Sequence, residues 1–501
     1  MGEKLEQLKQ HLYRHYDLHM AGAVLDWDQE VNMPPGGAAA RAEQLATLNA
    51  LAHDIFTSAE TGRLLEAAEV EVVGLEYDSD AASHARVLRR EYDKQTKIPT
   101  ALVTEFSRAR SQAFTAWRQA REEDNYPLFQ PHLQKIVDIN RQIADILGYE
   151  EHPYDALLDF YEPQVKTSEV AELFAELKAG LVPLLQAIVE RGQPVDNGFF
   201  QAEYPVERQW ELTEVILREM GYDFDRGRQD QAPHPFTTNF SSSDVRVTTR
   251  LNLHRPQAAI FGSIHEGGHA LYELGIPPKF DRTVLAGGAT LGLHESQSRM
   301  WENMMGRSRA FWHYYLPIMR AFFPQPLLGV SEEQFYRGIN KVQPDFIRVE
   351  ADEVTYNMHV FARFELEKAL VTGELPVKDV PAAWNAKYEE YLGITPPNDT
   401  LGCLQDVHWA HGTIGYFPTY TLGTLISAQL FNRAKAEIPG LEAGFAEGSF
   451  LPLLEWMREH VHVHGRKFTA AELLERELGE KISAQPFLDY VTAKYTEIYE
   501  L

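Results

Sequence analysis

Apolar side chains recur at helical spacing along most of the first 190 residues, and this periodicity is the feature that most constrains the fold. Such stripes predict amphipathic helices that pack through their apolar faces. The clearest stripes are Leu133, Ile136, Val137, Ile143, Ile146 and Leu147, then Val170, Phe174, Leu177, Leu181, Leu184 and Leu185, then Leu212, Val215, Ile216 and Met220. Gly148 and Gly221 follow the first and third stripes as stop signals, and Pro183 is expected to kink or break the second helix.

Strand signals are few. The segment 244–253 is the clearest, because Val245, Val247, Thr249, Leu251 and Leu253 alternate with polar residues, which predicts a half-buried strand. Helical patterns resume at about Pro256. The polar segment 193–198, which contains Pro194 and Gly198, is the best candidate for a soft boundary between two lobes. The chain is therefore predicted to be mainly α.

The charge balance excludes whole classes of partner. The 501 residues include 47 Lys and Arg against 73 Asp and Glu, a formal net charge of −26 at pH 7. This charge repels nucleic acid and anionic membranes, so neither is expected as a partner, whereas peptides that carry positive charge would be tolerated or attracted. The single cysteine, Cys403, cannot form an intrachain disulfide and fits a reducing compartment. The N-terminal residues lack the apolar core of a signal peptide, so a cytoplasmic location is expected.

The segment His265-Glu-Gly-Gly-His269 has the pattern H-E-x-x-H within a stretch that is otherwise typical of a helix. Histidines four residues apart share one helical face and can bind one metal ion. Glu266, about 100° around the helix, can reach a water beside that ion. The adjacent Gly267 and Gly268 each cost a helix about 1 kcal/mol relative to alanine, which indicates close approach of another element or of a peptide backbone.

A catalytic zinc site needs a third protein ligand, with the fourth position left to water. Glu295 follows a glycine-rich turn and lies near the start of a predicted helix, where a carboxylate is electrostatically favoured. Glu302, on the same predicted helix, is an alternative. A third-ligand glutamate is expected nearer the start of that helix, so Glu295 is preferred. Structural zinc sites are usually rich in cysteine, so the single Cys403 argues against that kind of site.

Five segments, in order, resemble the signature of the carboxypeptidase Taq family of zinc metallocarboxypeptidases. They are Asp244-Val-Arg-Val-Thr248, His265-Glu-Gly-Gly-His269, His294-Glu-Ser-Gln297, Ile347-Arg-Val-Glu-Ala-Asp352 and Gly402-Cys-Leu-Gln-Asp-Val-His-Trp409. Trp27-Asp-Gln-Glu-Val-Asn-Met-Pro34 is also similar to the family. The resemblance covers most of the chain. Since motifs between 244 and 420 must meet in one site, a single peptidase domain of two lobes is expected.

The resemblance implies a mainly helical, two-lobed fold similar to neurolysin and angiotensin-converting enzymes, with a deep central groove and a small β-sheet near the active site. It implies a homodimer that releases single residues from the C-terminus of peptides with broad specificity, generally excluding C-terminal proline. His265, His269 and Glu295 would bind Zn²⁺, and Glu266 would be the general base. The same ligands suit Co²⁺, so the ligand types leave the metal open.

The resemblance also places two donors over the scissile carbonyl, where an oxyanion needs hydrogen bonds beyond the metal. They would be His408 and Tyr420, with Tyr416 as an alternative to Tyr420. A core or supporting role for His408 and a buried structural role for Tyr420 are the competing interpretations. Asp406 could orient His408 or a zinc-ligating histidine. Cys403 lies in the same segment and is interpreted as a small buried apolar residue.

A carboxypeptidase must also recognise a free C-terminal carboxylate, and the planar fork of an arginine suits it. Arg348 is the first choice, and its competing interpretation is an intrahelical pair with Asp352, four residues on. Arg246 is the second choice, but its Asp-x-Arg-x-Thr setting favours a structural hydrogen-bond cluster.

Two other functions compete with a zinc carboxypeptidase. A neurolysin-like oligopeptidase would cut peptides internally, and it would still cleave a peptide whose C-terminus is amidated. A non-catalytic peptide-binding protein would use the metal structurally.

Overall fold

The computed structural model describes residues 2–501. They form two compact units. The first comprises the chain up to Thr96, Asn197–Ile339 and Leu430–Lys481, and the second Lys97–Asp196, Asn340–Gln429 and Ile482–Leu501. One change of unit thus falls within the segment 193–198, while a single domain of two lobes stays a prediction.

The mainly α prediction is confirmed. The helices of the described residues are α1 (Glu3–Val31), α2 (Ala38–Phe56), α3 (Ala59–Val72), α4 (Asp80–Lys97), α5 (Thr100–Glu122), α6 (Tyr126–Leu147), α7 (Pro153–Leu158), α8 (Thr167–Arg191), α9 (Val206–Met220), α10 (Pro256–Gly275), α11 (Leu291–Arg299), α12 (Arg309–Phe322), α13 (Glu332–Ile339), α14 (Tyr356–Thr372), α15 (Val380–Leu392), α16 (Pro418–Glu437), α17 (Leu441–Phe445), α18 (Leu451–His460), α19 (Ala470–Leu478) and α20 (Gln485–Tyr499). None of them is long and apolar enough to cross a membrane.

The three apolar stripes lie on α6, α8 and α9, and the stop signals at Gly148 and Gly221 are confirmed. A break at Pro183 is not found, because α8 runs through this proline. The stripe residues of α8 are buried on both sides of Pro183, so packing of that face stabilises the helix across the missing backbone hydrogen bond.

A small three-stranded sheet belongs to the first unit. Its strands β1 (Gln229–Gln231), β2 (Thr237–Ser241) and β3 (Asp244–Thr249) have the order β1-β3-β2, with β1 parallel and β2 antiparallel to β3. The predicted strand is β3, but its predicted end at Leu253 is wrong. After Thr249 the chain turns, because Gln209 donates to the Asn252 carbonyl at 2.8 Å and the Asn252 side chain accepts from the His254 N–H at 2.9 Å.

Helix α10 lies at the centre of the first unit. It contacts α9, α11, β2 and β3, and most of its side chains are buried. Burial on several sides fixes the rotation of this helix about its axis. The direction in which its histidines point is therefore set by packing in the core.

Candidate metal centre and neighbouring polar residues

The H-E-x-x-H segment lies on a helix, as predicted, and spans the middle of α10. The helix begins with Pro256, whose fixed φ suits a first helical position. His265 and His269 lie on one face, with ring centroids 5.0 Å apart. The two histidines therefore share one helical face, as their four-residue spacing predicts.

The two glycines of the motif meet other helices. A Cβ at Gly268 would lie 2.7 Å from the Ser298 Cα and 2.8 Å from the Gln297 carbonyl oxygen, both on α11. A Cβ at Gly267 would lie 2.7 Å from Leu217 Cδ2 on α9. The predicted close approach of another element is confirmed, and at Gly268 it brings the backbone of α11 against α10.

This close packing brings Glu295 to the two histidines. Its Oε2 lies 3.5 Å from His265 Nε2 and 3.4 Å from His269 Nε2, and the side chain is almost fully buried. Among residues 2–501, these three form the one group of His, Cys, Asp or Glu side chains whose ligand atoms all lie within 4.8 Å of one another. Tetrahedral zinc ligands at 2.0–2.1 Å from the metal would be about 3.3 Å apart, so the group fits such an ion.

The alternative ligand, Glu302, lies on the other side of the His265 ring. A π-helical turn, Met300–Met305, follows α11 and places the Glu302 carboxylate 2.9 Å from His265 Nδ1. Arg307 donates to the same carboxylate at 3.0 Å. Burial alone would raise the pKa of Glu302, but His265, Arg299 and Arg307 together hold it well below its usual range. Glu302 therefore orients His265 as a charged acceptor.

Glu266 is held by the sheet. The Thr237 hydroxyl, at the start of β2, lies 2.7 Å from Glu266 Oε2 and 2.9 Å from its carbonyl oxygen. Burial raises the pKa of Glu266, and the hydrogen bond from Thr237 opposes this shift. The expected small sheet is confirmed, and its strand β2 holds the Glu266 carboxylate next to the histidine pair.

Arg348 lies in the second unit and is almost fully buried. Its Nε and Nη2 donate to the two oxygens of Asp406 at 2.9 and 3.0 Å, and its Nη1 donates to the Tyr356 hydroxyl at 2.8 Å. The pair with Asp352 is not formed, because Arg348–Glu350 is a short 3-10 turn and Asp352 accepts from Thr355 and the Gln343 N–H.

His408 and Tyr420 are neighbours in the second unit. His408 Nε2 lies 3.3 Å from the Tyr420 hydroxyl, and His408 Nδ1 lies 4.0 Å from Asp406. Burial lowers the pKa of His408 to about 3, so the ring is neutral near pH 7. Tyr416 packs edge-on to Tyr420, with ring centroids 5.3 Å apart. Asp406 therefore binds Arg348 directly and lies close to His408.

The remaining candidates have structural surroundings. Arg246 pairs with Asp244 through two hydrogen bonds of 2.9 Å, and its guanidinium lies 4.3 Å from the centroid of the Trp27 ring. Thr248 does not join this pair, since it binds the backbone of Phe236. Cys403 is buried, and burial raises the pKa of its thiol.

Three residues beside the group of His265, His269 and Glu295 were not given a role from the sequence. They are Thr237, His294 and Glu273. His294 lies within the motif that supplies Glu295, so its position was a usable signal, whereas nothing in the local sequence distinguishes Thr237 or Glu273.

A helical fold with a small sheet and a His-His-Glu group on two packed helices, in which Glu295 is buried and the histidines are partly exposed, is typical of helical metallopeptidases. The sequence profile of the carboxypeptidase Taq (M32) metallopeptidases matches residues 7–495. The chain belongs to this family and is a metallocarboxypeptidase.

Named relatives and solved structures agree with this assignment. The chain is 43% identical over 488 residues to thermostable carboxypeptidase 1 of Thermus thermophilus, covering 95% of each chain. It is 40% identical over 484 residues to carboxypeptidase 1 of Bacillus subtilis, covering 96% of each. The M32 carboxypeptidase structure from Deinococcus radiodurans R1 superposes with a TM-score of 0.96, at 42% identity and full coverage of both chains. These relatives support a carboxypeptidase over an oligopeptidase that cuts internally.

Proposed function

We propose that the enzyme is a zinc carboxypeptidase whose metal is held by His265, His269 and Glu295. The observation that carries the proposal is the convergence of their three ligand atoms within 4.8 Å. A bound zinc ion would supply Lewis acidity, which polarises a carbonyl and makes water more acidic. Two imidazoles and one carboxylate are a donor set that suits this ion, and Co²⁺ is compatible with the same set.

Glu266 is proposed as the general base. Its carboxylate follows His265 directly on α10, and Thr237 fixes one of its oxygens. The other oxygen can take a proton from the attacking water and then deliver it to the leaving amine. A positioned carboxylate of this kind contributes about 10²–10⁴-fold to the rate.

Arg348 is proposed to bind the C-terminal carboxylate of the peptide. A guanidinium has five N–H donors. Asp406 accepts one from Nε and one from Nη2, and the Tyr356 hydroxyl accepts one from Nη1. One further N–H therefore remains on each terminal nitrogen, a pair suited to the two oxygens of a carboxylate. Asp406 also balances the buried charge of Arg348, which supports a rigidly held binding group.

His408 and Tyr420 are proposed to donate hydrogen bonds to the oxyanion that forms on the scissile carbonyl. A neutral imidazole and a phenol each carry one donor hydrogen. One of these hydrogens lies in the 3.3 Å contact between His408 Nε2 and the Tyr420 hydroxyl, and an oxyanion would replace the acceptor in that contact.

The remaining parts of the proposal concern substrate, assembly and location. Broad specificity for peptides and a homodimeric assembly follow the family resemblance, and the assembly can be measured by light scattering after size-exclusion chromatography. The net charge of −26 supports the exclusion of nucleic acid and anionic membranes. A cytoplasmic location is supported by the single, buried Cys403.

Metal analysis combined with a pair of N-blocked peptides tests this function. The purified enzyme should contain or require one transition-metal ion per chain, and it should release the C-terminal residue from a peptide with a free carboxylate. The same peptide with an amidated C-terminus should resist cleavage. Equal cleavage of both peptides, or full activity without a transition metal, would contradict the proposal.

A further inference from the structure

The two candidate ligand histidines have different partners on their outer ring nitrogens. His265 Nδ1 faces the Glu302 carboxylate directly at 2.9 Å. His269 Nδ1 instead lies 2.6 Å from Nδ1 of another histidine, His294. His294 Nε2 then lies 2.8 Å from Oε1 of Glu273. His269 is thus linked to a carboxylate through an intervening imidazole.

Only one arrangement of protons satisfies this chain when His269 Nε2 faces the metal. A nitrogen that binds a metal must carry a lone pair, so the proton of His269 is on Nδ1. His294 Nδ1 must then accept that proton in a hydrogen bond, and the proton of His294 is on Nε2. His294 Nε2–H donates to Glu273, and every bond in the chain has one donor and one acceptor.

The packing holds each member of this chain in place. His269 and Glu273 are four residues apart on α10, and His294 on α11 bridges them. Glu273 is fixed by the Asn239 amide at 2.8 Å and by the Gly288 N–H at 3.2 Å.

The ring of His294 is confined from the other side. It packs on Tyr272, with ring centroids 5.2 Å apart. A Cβ at Gly288 would lie 2.7 Å from His294 Cδ2 and 2.8 Å from Tyr272 Cε1, so even a methyl group there would crowd the stacked pair of rings. The glycine therefore leaves the space that His294 needs to reach both partners.

We propose that His294 and Glu273 are positioning residues, which fix the tautomer and orientation of His269 so that Nε2 faces the metal. This inference rests on the proposed metal function. Partners that hydrogen-bond to a metal-binding histidine typically contribute about 10–100-fold to metal affinity. Here that contribution passes through the imidazole ring of His294.

Two substitutions at His294 distinguish its role as a hydrogen-bond acceptor for His269 from the effect of its side-chain volume. His294→Asn places an amide oxygen near the former Nδ1 and keeps an acceptor for His269. His294→Gln places its amide near the former Nε2, so it keeps a contact with Glu273 and loses the acceptor for His269. We expect His294→Gln to lower Zn²⁺ and Co²⁺ affinity by about 10–100-fold, and His294→Asn to retain most of it.

The affinities are measured by competition with a chromogenic chelator, and the ligand-field absorption of the Co²⁺-loaded protein reports the coordination. His294→Gln should change that spectrum, whereas His294→Asn should resemble the wild type. Thermal unfolding of the metal-free variants checks the fold. Should His294→Gln fail to fold, Gly288→Ala decides the question, because its methyl group crowds the His294 and Tyr272 rings without altering the polar atoms of His294, and it should lower affinity in the same way.

Equal affinity and equal Co²⁺ spectra for wild type, His294→Gln and Gly288→Ala would overturn the positioning role while leaving the metal site intact. A wild-type protein that binds neither Zn²⁺ nor Co²⁺ would overturn the proposed metal function itself. Glu273→Gln keeps an acceptor oxygen but removes its charge, so an affinity between those of wild type and His294→Gln is expected.

Discussion

At the scale of single residues, the chemistry of this site depends on the partners that hold each reactive side chain. Glu302 holds His265, His294 meets His269, and Thr237 holds Glu266. Each partner comes from outside α10. Helix α10 therefore supplies His265, Glu266 and His269, and its neighbours fix the orientation of these three side chains.

Loss of the Thr237 hydroxyl should impair Glu266 without changing the metal content. In Thr237→Val the carboxylate loses the donor at 2.7 Å and can rotate away from its position, so we expect kcat to fall by about tenfold, the effect of one lost hydrogen bond. Thr237→Ser keeps the hydroxyl and should retain most of the activity. Steady-state kinetics with an N-blocked peptide measure both, and equal kcat values would contradict this role.

The substitution Arg348→Lys should weaken substrate binding. The lysine ammonium would keep the positive charge beside Asp406 but would lack the planar fork, so we expect KM to rise by about 10-fold or more for a peptide with a free carboxylate. The measurement is kcat and KM at constant metal content, with thermal unfolding as the check on the fold. An unchanged KM would assign carboxylate recognition to another residue.

The sequence predicted contacts where local spacing determines geometry, and it identified Glu295 from the need for a third ligand and from the order of the family motifs. Four-residue spacing on a helix correctly paired His265 with His269. The competing interpretation of Arg348, an intrahelical pair with Asp352, is wrong, because the helical turn that begins at Arg348 is a 3-10 turn and ends at Glu350. Thr237 and Glu266 are separated by 29 residues and lie on a strand and a helix, so no local pattern could link them.

At the scale of elements, the contact between α10 and α11 determines whether Glu295 reaches His265 and His269. The two backbones approach at Gly268, where a side chain would collide with Ser298. The approach explains why the helix contains a residue that weakens it. Gly268 lowers the helix propensity of α10, but it allows the backbone of α11 to pack closely against α10.

A methyl group at Gly268 should therefore destabilise the protein. Alanine is the better helix former by about 1 kcal/mol, but overpacking typically costs about 1–3 kcal/mol, so we expect a net loss of stability and weaker metal binding for Gly268→Ala. Gly262→Ala in the same helix is the control, since its nearest neighbour would be Pro235 Cγ at 3.8 Å. This control should match or exceed wild-type stability in urea. Stabilisation by both substitutions would contradict the packing argument.

Element boundaries were less predictable than elements. The stripe on α8 was evident, but the continuity of the helix at Pro183 depends on packing partners that lie far away in the sequence. Strand β3 was predicted from alternation, yet hydrogen bonds from Gln209 and within the Asn252 turn end it early. Tertiary contacts decided both cases.

At the scale of the whole molecule, buried neutral histidines determine part of the response to acid. His84 in the first unit and His359 in the second are almost fully buried. Burial lowers the pKa of each from 6.5 to about 3. Between these pH values the unfolded chain binds protons that the folded chain does not. The stability they contribute is complete above about pH 6.5 and is lost as the pH falls towards 3.

Replacement of His84 should flatten this dependence. We expect His84→Gln to be less stable than wild type at pH 8, and the difference in unfolding free energy to shrink by up to about 1.4 kcal/mol per pH unit below pH 6.5. Urea unfolding at pH 8, 6 and 5 measures the difference. Parallel curves for the two proteins across this range would show that His84 titrates alike in the folded and unfolded states.

The most direct test of a metal-dependent carboxypeptidase at this site is the rate at which Glu266→Gln releases the C-terminal residue of an N-blocked dipeptide, measured at a known metal content. Glutamine keeps the shape of the side chain and leaves His265, His269 and Glu295 in place. We expect one metal ion per chain, as in wild type, and a rate at least about 100-fold lower. Unchanged hydrolysis by the metal-loaded variant would contradict the account.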